Sequence, residues 1–82
     1  MRRVYRTKGT CSQQIEYEVV DGIIKYVNFT DGCNGNLKGI GTLVTGMKAS
    51  EAIEKLEGIR CGDKLTSCPD QLAKALKEAE GL

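Results

Sequence analysis

The sequence predicts an α+β domain, a three-stranded antiparallel sheet followed by three helices packed on one of its faces. Three observations carry this prediction. The strand-like segments all lie before Asp31 and the helix-like segments all follow Cys33, and segregated runs of this kind mark α+β architecture. Asp21-Gly22 separates two apolar runs and supplies the positive φ angles of a two-residue hairpin turn. Finally, Ser67-Cys68-Pro69-Asp70 is a helix start: a Ser cap, a Pro where a missing N–H does no harm, and an Asp near the positive end of the helix.

Val4–Thr7 reads as a short strand ending at Gly9, and the surrounding Arg2, Arg3, Arg6 and Lys8 mark it as a solvated edge that charge keeps from pairing with other chains. Gln14–Val20 and Ile23–Thr30 form the hairpin. A regular register sets Glu18 opposite Lys25 and Tyr17 opposite Tyr26. One face then carries Ile15, Tyr17, Val19, Ile24 and Tyr26, and the other Val20, Ile23, Val27 and Phe29. Both faces are apolar enough to be covered in part, and the pattern does not rank them.

Asp31-Gly32-Cys33-Asn34-Gly35-Asn36 is a turn cluster, after which Leu37, Ile40, Leu43, Val44 and Met47 fall on one helical face. Gly35, Gly39, Gly41 and Gly46 weaken that helix, and the expected compensation is close approach to another backbone. Their spacing is not that of a phosphate-binding loop. A second helix spans Ala49–Glu57 with Ala52, Ile53 and Leu56 inward and Gly58 as its stop. The last helix runs from about Pro69 to Glu80, with Leu72, Leu76 and Ala79 at helical spacing.

A chain of 82 residues makes one domain, residues 1–82, with a modest core that a metal or disulfide staple often supplements. Its net charge of +1 argues against general nucleic-acid binding. The opening residues lack the apolar run of a signal peptide, and no segment is long enough to span a membrane, so a cytoplasmic location is the expectation. In that reducing compartment cysteines are used for metal binding or redox chemistry rather than lasting disulfides.

Four cysteines and no histidine are present, spaced Cys11-x21-Cys33-x27-Cys61-x6-Cys68. There is no C-x-x-C pair, so spacing alone is a weak zinc signal. Context is stronger. Each cysteine sits beside Gly, Ser or Thr at the end of an element, and Cys33 and Cys68 each lead into a helix, where outward-pointing amides favour thiolate. Arg60 and Lys64 add positive charge nearby in sequence. A shared metal site of Cys11, Cys33, Cys61 and Cys68 follows, and four thiolates suit tetrahedral zinc or an iron–sulfur cluster equally by count. Two other readings stay open: a redox thiol pair with Cys68 nucleophilic and Cys61 resolving, or unligated thiols in a purely structural interaction domain, with Cys68 a small buried hydrophobe at a helix end.

The run Thr66-Ser67-Cys68-Pro69-Asp70, together with Gly32-Cys33-Asn34-Gly35-Asn36-Leu37 and Leu56-Glu57-Gly58-Ile59-Arg60-Cys61-Gly62, resembles the TSCPD domain family over essentially the whole chain. The chain is similar to the small stand-alone form of that domain, and a related domain ends the adenosylcobalamin-dependent ribonucleotide reductases. The resemblance implies an accessory role in ribonucleotide reduction and deoxynucleotide supply, with a reductase or another protein as partner. It does not imply catalysis by this chain alone, which is too short for a reductase barrel. More distantly, the order of Cys11, Gly32-Cys33, Gly46, Glu51-Ala52 and Cys68 is similar to the U-type iron–sulfur scaffold proteins. That similarity implies their fold and a three-cysteine site at Cys11, Cys33 and Cys68. Gln13 stands where those proteins carry an Asp and Ser67 where they carry a His, which leaves Cys61 as the candidate fourth ligand and favours a closed site over a releasing one.

Overall fold

The computed structural model describes residues 2–10, 13–30 and 34–81. Cys11 and Cys33, two of the four candidate ligands, lie outside the described residues. Three strands come first, β1 (Arg3–Arg6), β2 (Gln14–Val20) and β3 (Ile23–Thr30), followed by α1 (Asn34–Val44), α2 (Ala49–Leu56) and α3 (Cys68–Glu80). The sheet is antiparallel in the order β1-β2-β3. At the hairpin tip Asp21 (φ 52°) and Gly22 (φ 78°) both take left-handed conformations, as a type I′ turn requires.

The hairpin's register departs from the regular one. Val19 pairs with Ile24 but Glu18 pairs with Tyr26, so Lys25 is an inserted bulge residue and Tyr17 faces Val27 instead of Tyr26. A bulge turns two nearby residues to the same side. Ile24, Val27 and Phe29 therefore all face the helices with Ile15, Tyr17 and Val19, while Tyr26 goes to the opposite face, where the Arg2 guanidinium stacks 3.9 Å from its ring centre. Val27 and Phe29, which a regular register puts on the face opposite Ile24, thus join it on one side.

Against that face pack Val44, then Ala49, Ala52 and Ile53 of α2, and Leu72, Ala75 and Leu76 of α3. Ile15, Ile24, Leu72 and Leu76 are its largest fully buried side chains. The first helix is shorter than its apolar pattern predicts. It ends at Val44, Gly46 turns the chain at φ 94°, and Met47 reaches the core from outside the helix. Leu43 belongs to the predicted face yet is 77 % exposed, because the helix that closes on β3 presents Leu37, Ile40 and Val44 instead. Beyond the turn, Ile24 N–H donates to Met47 O (2.9 Å) and Gly46 N–H to Ile24 O (2.8 Å), fastening this segment to the outer edge of β3.

Close backbone approach explains Gly41 alone among the α1 glycines. A Cβ there would stand 3.0 Å from the Val27 carbonyl oxygen, whereas Gly35 and Gly39 face open space. Gly39→Ala should therefore raise stability by about 0.5–1 kcal/mol through helix propensity. Gly41→Ala gains the same propensity but forces α1 away from β3, so it should lower stability. Urea melts of the two variants against the parent chain check the opposite signs.

Candidate cysteine site

The first turn of α3 organises the site. Ser67 caps the helix, its hydroxyl accepting the Asp70 N–H (3.2 Å) and donating to the Ile59 carbonyl (2.6 Å). Ser67-x-x-Asp70 has capping-box spacing, but the acid does not return to the cap. The Asp70 carboxylate instead accepts the Gly58 N–H (2.8 Å) and the Thr66 hydroxyl, with Lys74 at 3.7 Å. Gln71 extends the network by donating to Thr66 Oγ1 (3.0 Å) and accepting the backbone N–H of Lys8 (3.1 Å). Ser67, Asp70 and Gln71 are all buried, and among the described residues no buried side-chain polar atom lacks a hydrogen-bond partner. Three residues of one helical turn thus hold the exit of α2, the Cys61 loop and the segment that leads to Cys11.

The Cys61 loop is also closed on itself. Cys61 N–H donates to Thr66 O (3.2 Å) and Lys64 N–H to Cys61 O (3.0 Å), with Gly62 left-handed at φ 57°. On the other side, Gly9 (φ 74°) comes so close that a Cβ would meet the Thr66 methyl at 3.2 Å.

Between these segments lies a cavity of about 440 Å³. Cys61 and Cys68 both line it, Cys61 exposed and Cys68, the first residue of α3, only 6 % exposed. Thr10 and Asn36 border it too, and they are close chain neighbours of Cys11 and Cys33. Leu37, Ile40, Ile59 and Pro69 give it apolar walls, and Arg60 and Lys64 are its charged lining residues, with no carboxylate among the described ones. The two cysteines therefore meet at one cavity, with the expected positive charge beside them. Among the described residues, no three Cys, His, Asp or Glu side chains are grouped so as to hold a metal ion. The sequence reading took Asp70 as a charge on the helix dipole and missed its role as a cross-link, and it missed the apolar walls. Neither has a local signal: capping-box spacing points Asp70 back to Ser67 and not to Gly58, and the walls come from α1 and the loop after α2.

Burial alone raises the Asp70 pKa, but the Thr66 hydroxyl, the Gly58 N–H and the Lys74 charge favour the carboxylate more strongly and hold it below the ordinary value. A depressed folded-state pKa contributes stability that is complete above the unfolded value of about 3.9 and disappears as pH falls from there through the folded value. Asp70→Asn should flatten the fall in Tm on that acid limb. At neutral pH it should cost about 1–3 kcal/mol, because the amide turns a donor towards groups that themselves donate. Thermal melts of both proteins from neutral to strongly acidic pH check both expectations.

None of the described helices is long and apolar enough to cross a membrane. No curated protein and no solved structure matches the chain, so the likeness to iron–sulfur scaffolds rests on the sequence pattern alone. The family described as the TSCPD domain matches residues 2–80. With nearly the whole chain covered by that match, the protein belongs to the TSCPD domain family.

Proposed function

We propose that this chain is a cytoplasmic accessory domain that binds zinc or an iron–sulfur cluster through Cys11, Cys33, Cys61 and Cys68 and works alongside ribonucleotide reductase in deoxynucleotide supply. One observation carries the metal reading: Cys61 and Cys68 open on a single cavity that is also bordered by Thr10 and Asn36, so all four cysteine-bearing stretches of chain contribute to its surroundings. The donor chemistry fits. Thiolates suit either group, and Arg60 and Lys64 offset the negative charge that four of them carry. Zinc so held is a cross-link without redox chemistry, whereas a cluster also carries electrons. The reductase link rests on the family resemblance.

Cys61→Ser is the informative variant. Cys61 is exposed, so its replacement costs little packing, while Cys68→Ser also disturbs a buried helix end. Metal analysis of protein purified without chelator should find a stoichiometric metal in the parent chain and a reduced content in Cys61→Ser. A metal that binds only the folded chain stabilises it, so chelator should lower the parent Tm and barely move that of the variant. Equal chelator response, or metal-free parent protein, would refute the site.

Thiol labelling addresses the competing redox reading. In the metal-bound protein Cys61 should react slowly despite its exposure and accelerate on chelation. Rapid labelling of untreated protein, with a Cys61–Cys68 disulfide forming under oxidant, would replace the metal site by a thiol/disulfide electron shuttle.

A further inference from the structure

Of the large apolar side chains that the described residues expose, Val4 and Val20 belong to strands, and the other three border or adjoin the cysteine cavity. Ile59, 42 % exposed, lines it. Leu65, 82 % exposed, directly follows the lining residue Lys64 in the Cys61 loop. Leu43 stands three residues beyond Ile40, on the side of α1 where Asn36 and Ile40 line the cavity.

A leucine so far in solvent beside an open apolar cavity leaves both surfaces in water, where each would gain by burial. Leu65 is not among the residues that line its own cavity. The cavity has room for such a side chain. A dry apolar cavity of roughly 150 Å³ already holds a benzene-sized molecule, and this one has about 440 Å³. A protruding side chain remote from its pocket would link copies into open chains. A protrusion beside the pocket instead lets two copies exchange side chains about a two-fold axis, so the contact closes. The charges of the loop permit that approach. Arg60 and Lys64 are accompanied by an exposed Asp63, so the axis can set each Asp63 against a cation of the other copy. A net charge of +1 leaves little overall repulsion.

We propose that the chain forms a two-fold dimer across this face, in which Leu65 of each copy enters the cysteine cavity of the other and Asp63 of each meets the other's Arg60 or Lys64. Leu37, Ile40, Ile59 and Pro69 enclose the incoming leucine, which shields the Cys61 side of the cavity from water. The cavity is therefore complete only in the dimer. Association supplies apolar burial that a domain of 82 residues is short of. Neither the apolar walls nor Leu65 depends on a bound metal.

Sedimentation equilibrium of the full chain should show reversible monomer–dimer exchange. Leu65→Asp should weaken the dimer at least about tenfold. Its Tm, measured where both proteins are monomeric, should stay that of the parent, because Leu65 is mostly in solvent. Asp63→Lys, which sets like charges against each other, should also weaken the dimer, most at low salt. In mixed dimers of 13C-labelled and unlabelled chains, the Leu65 methyls of one copy should contact Leu37, Ile40 and Ile59 of the other. A dimer that Leu65→Asp or Asp63→Lys leaves intact, as a metal bridging two copies would give, overturns the proposal. So do contacts through Val4 and Val20 of the sheet, or a chain that stays monomeric at millimolar concentration. A monomer whose cavity amides shift with an end-blocked Glu-Leu-Glu peptide overturns it as well, and gives the cavity to a different protein. Leu65→Asp removes no thiol and should keep the parent's metal content. Sedimentation thus reads the dimer and metal analysis the metal site, and each can fail without the other.

Discussion

The constraint on which the rest depends is the satisfied polar turn at the start of α3. Ser67, Asp70 and Gln71 are buried in a chain with little core to spare, and a buried carboxylate with a missing partner is costly. Here each group has its bonds: Gly58 and Thr66 on Asp70, Ile59 on Ser67, Lys8 and Thr66 on Gln71. Because those partners belong to separate stretches of chain, satisfying three side chains fixes where those stretches run. The exposed Lys74 pair adds little to this, since its charge is largely screened by solvent.

The cysteine cavity is a by-product of the same arrangement. Helix α3 delivers Cys68 at its first position, the loop anchored through Ile59 and Thr66 delivers Cys61, and the Lys8 bond draws in the segment after β1 that continues to Thr10. Apolar residues of α1 complete the wall. Of the two described cysteines, Cys61 thus stands in a short, bonded loop and Cys68 at the first position of α3, both at element ends rather than interiors.

The sheet depends on a different device, the bulge at Lys25. Strand residues alternate sides with a period of two, so a regular hairpin divides the apolar residues of β3 between its faces. One inserted residue changes the phase partway along and brings Ile24, Val27 and Phe29 to the same side. It also turns the Val27 carbonyl outward to Gly41, which is why a residue without a Cβ stands there. The core and the closeness of α1 both follow from that insertion.

What the sequence by itself determined is what local chemistry decides. The hairpin runs over Gln14–Val20 and Ile23–Thr30 because Asp21-Gly22 dictates its turn, and α3 begins beside Ser67 and Pro69 because caps act within a few residues. The order of three strands and three helices followed from periodicity, as did Leu72 and Leu76 as core residues. The placement of Cys61 and Cys68 at the ends of elements was legible from the Gly and Ser beside them, and the two line one cavity, whereas Cys11 and Cys33 lie outside the described residues. Only the tertiary structure decided the bulge, the end of α1 at Val44 with Leu43 in solvent, the partners of Asp70 and the walls of the cavity. The reason is the same in each case. These features depend on which distant segment arrives to cover a face or accept a bond, and local pattern records a residue's preference but not its neighbour across the fold.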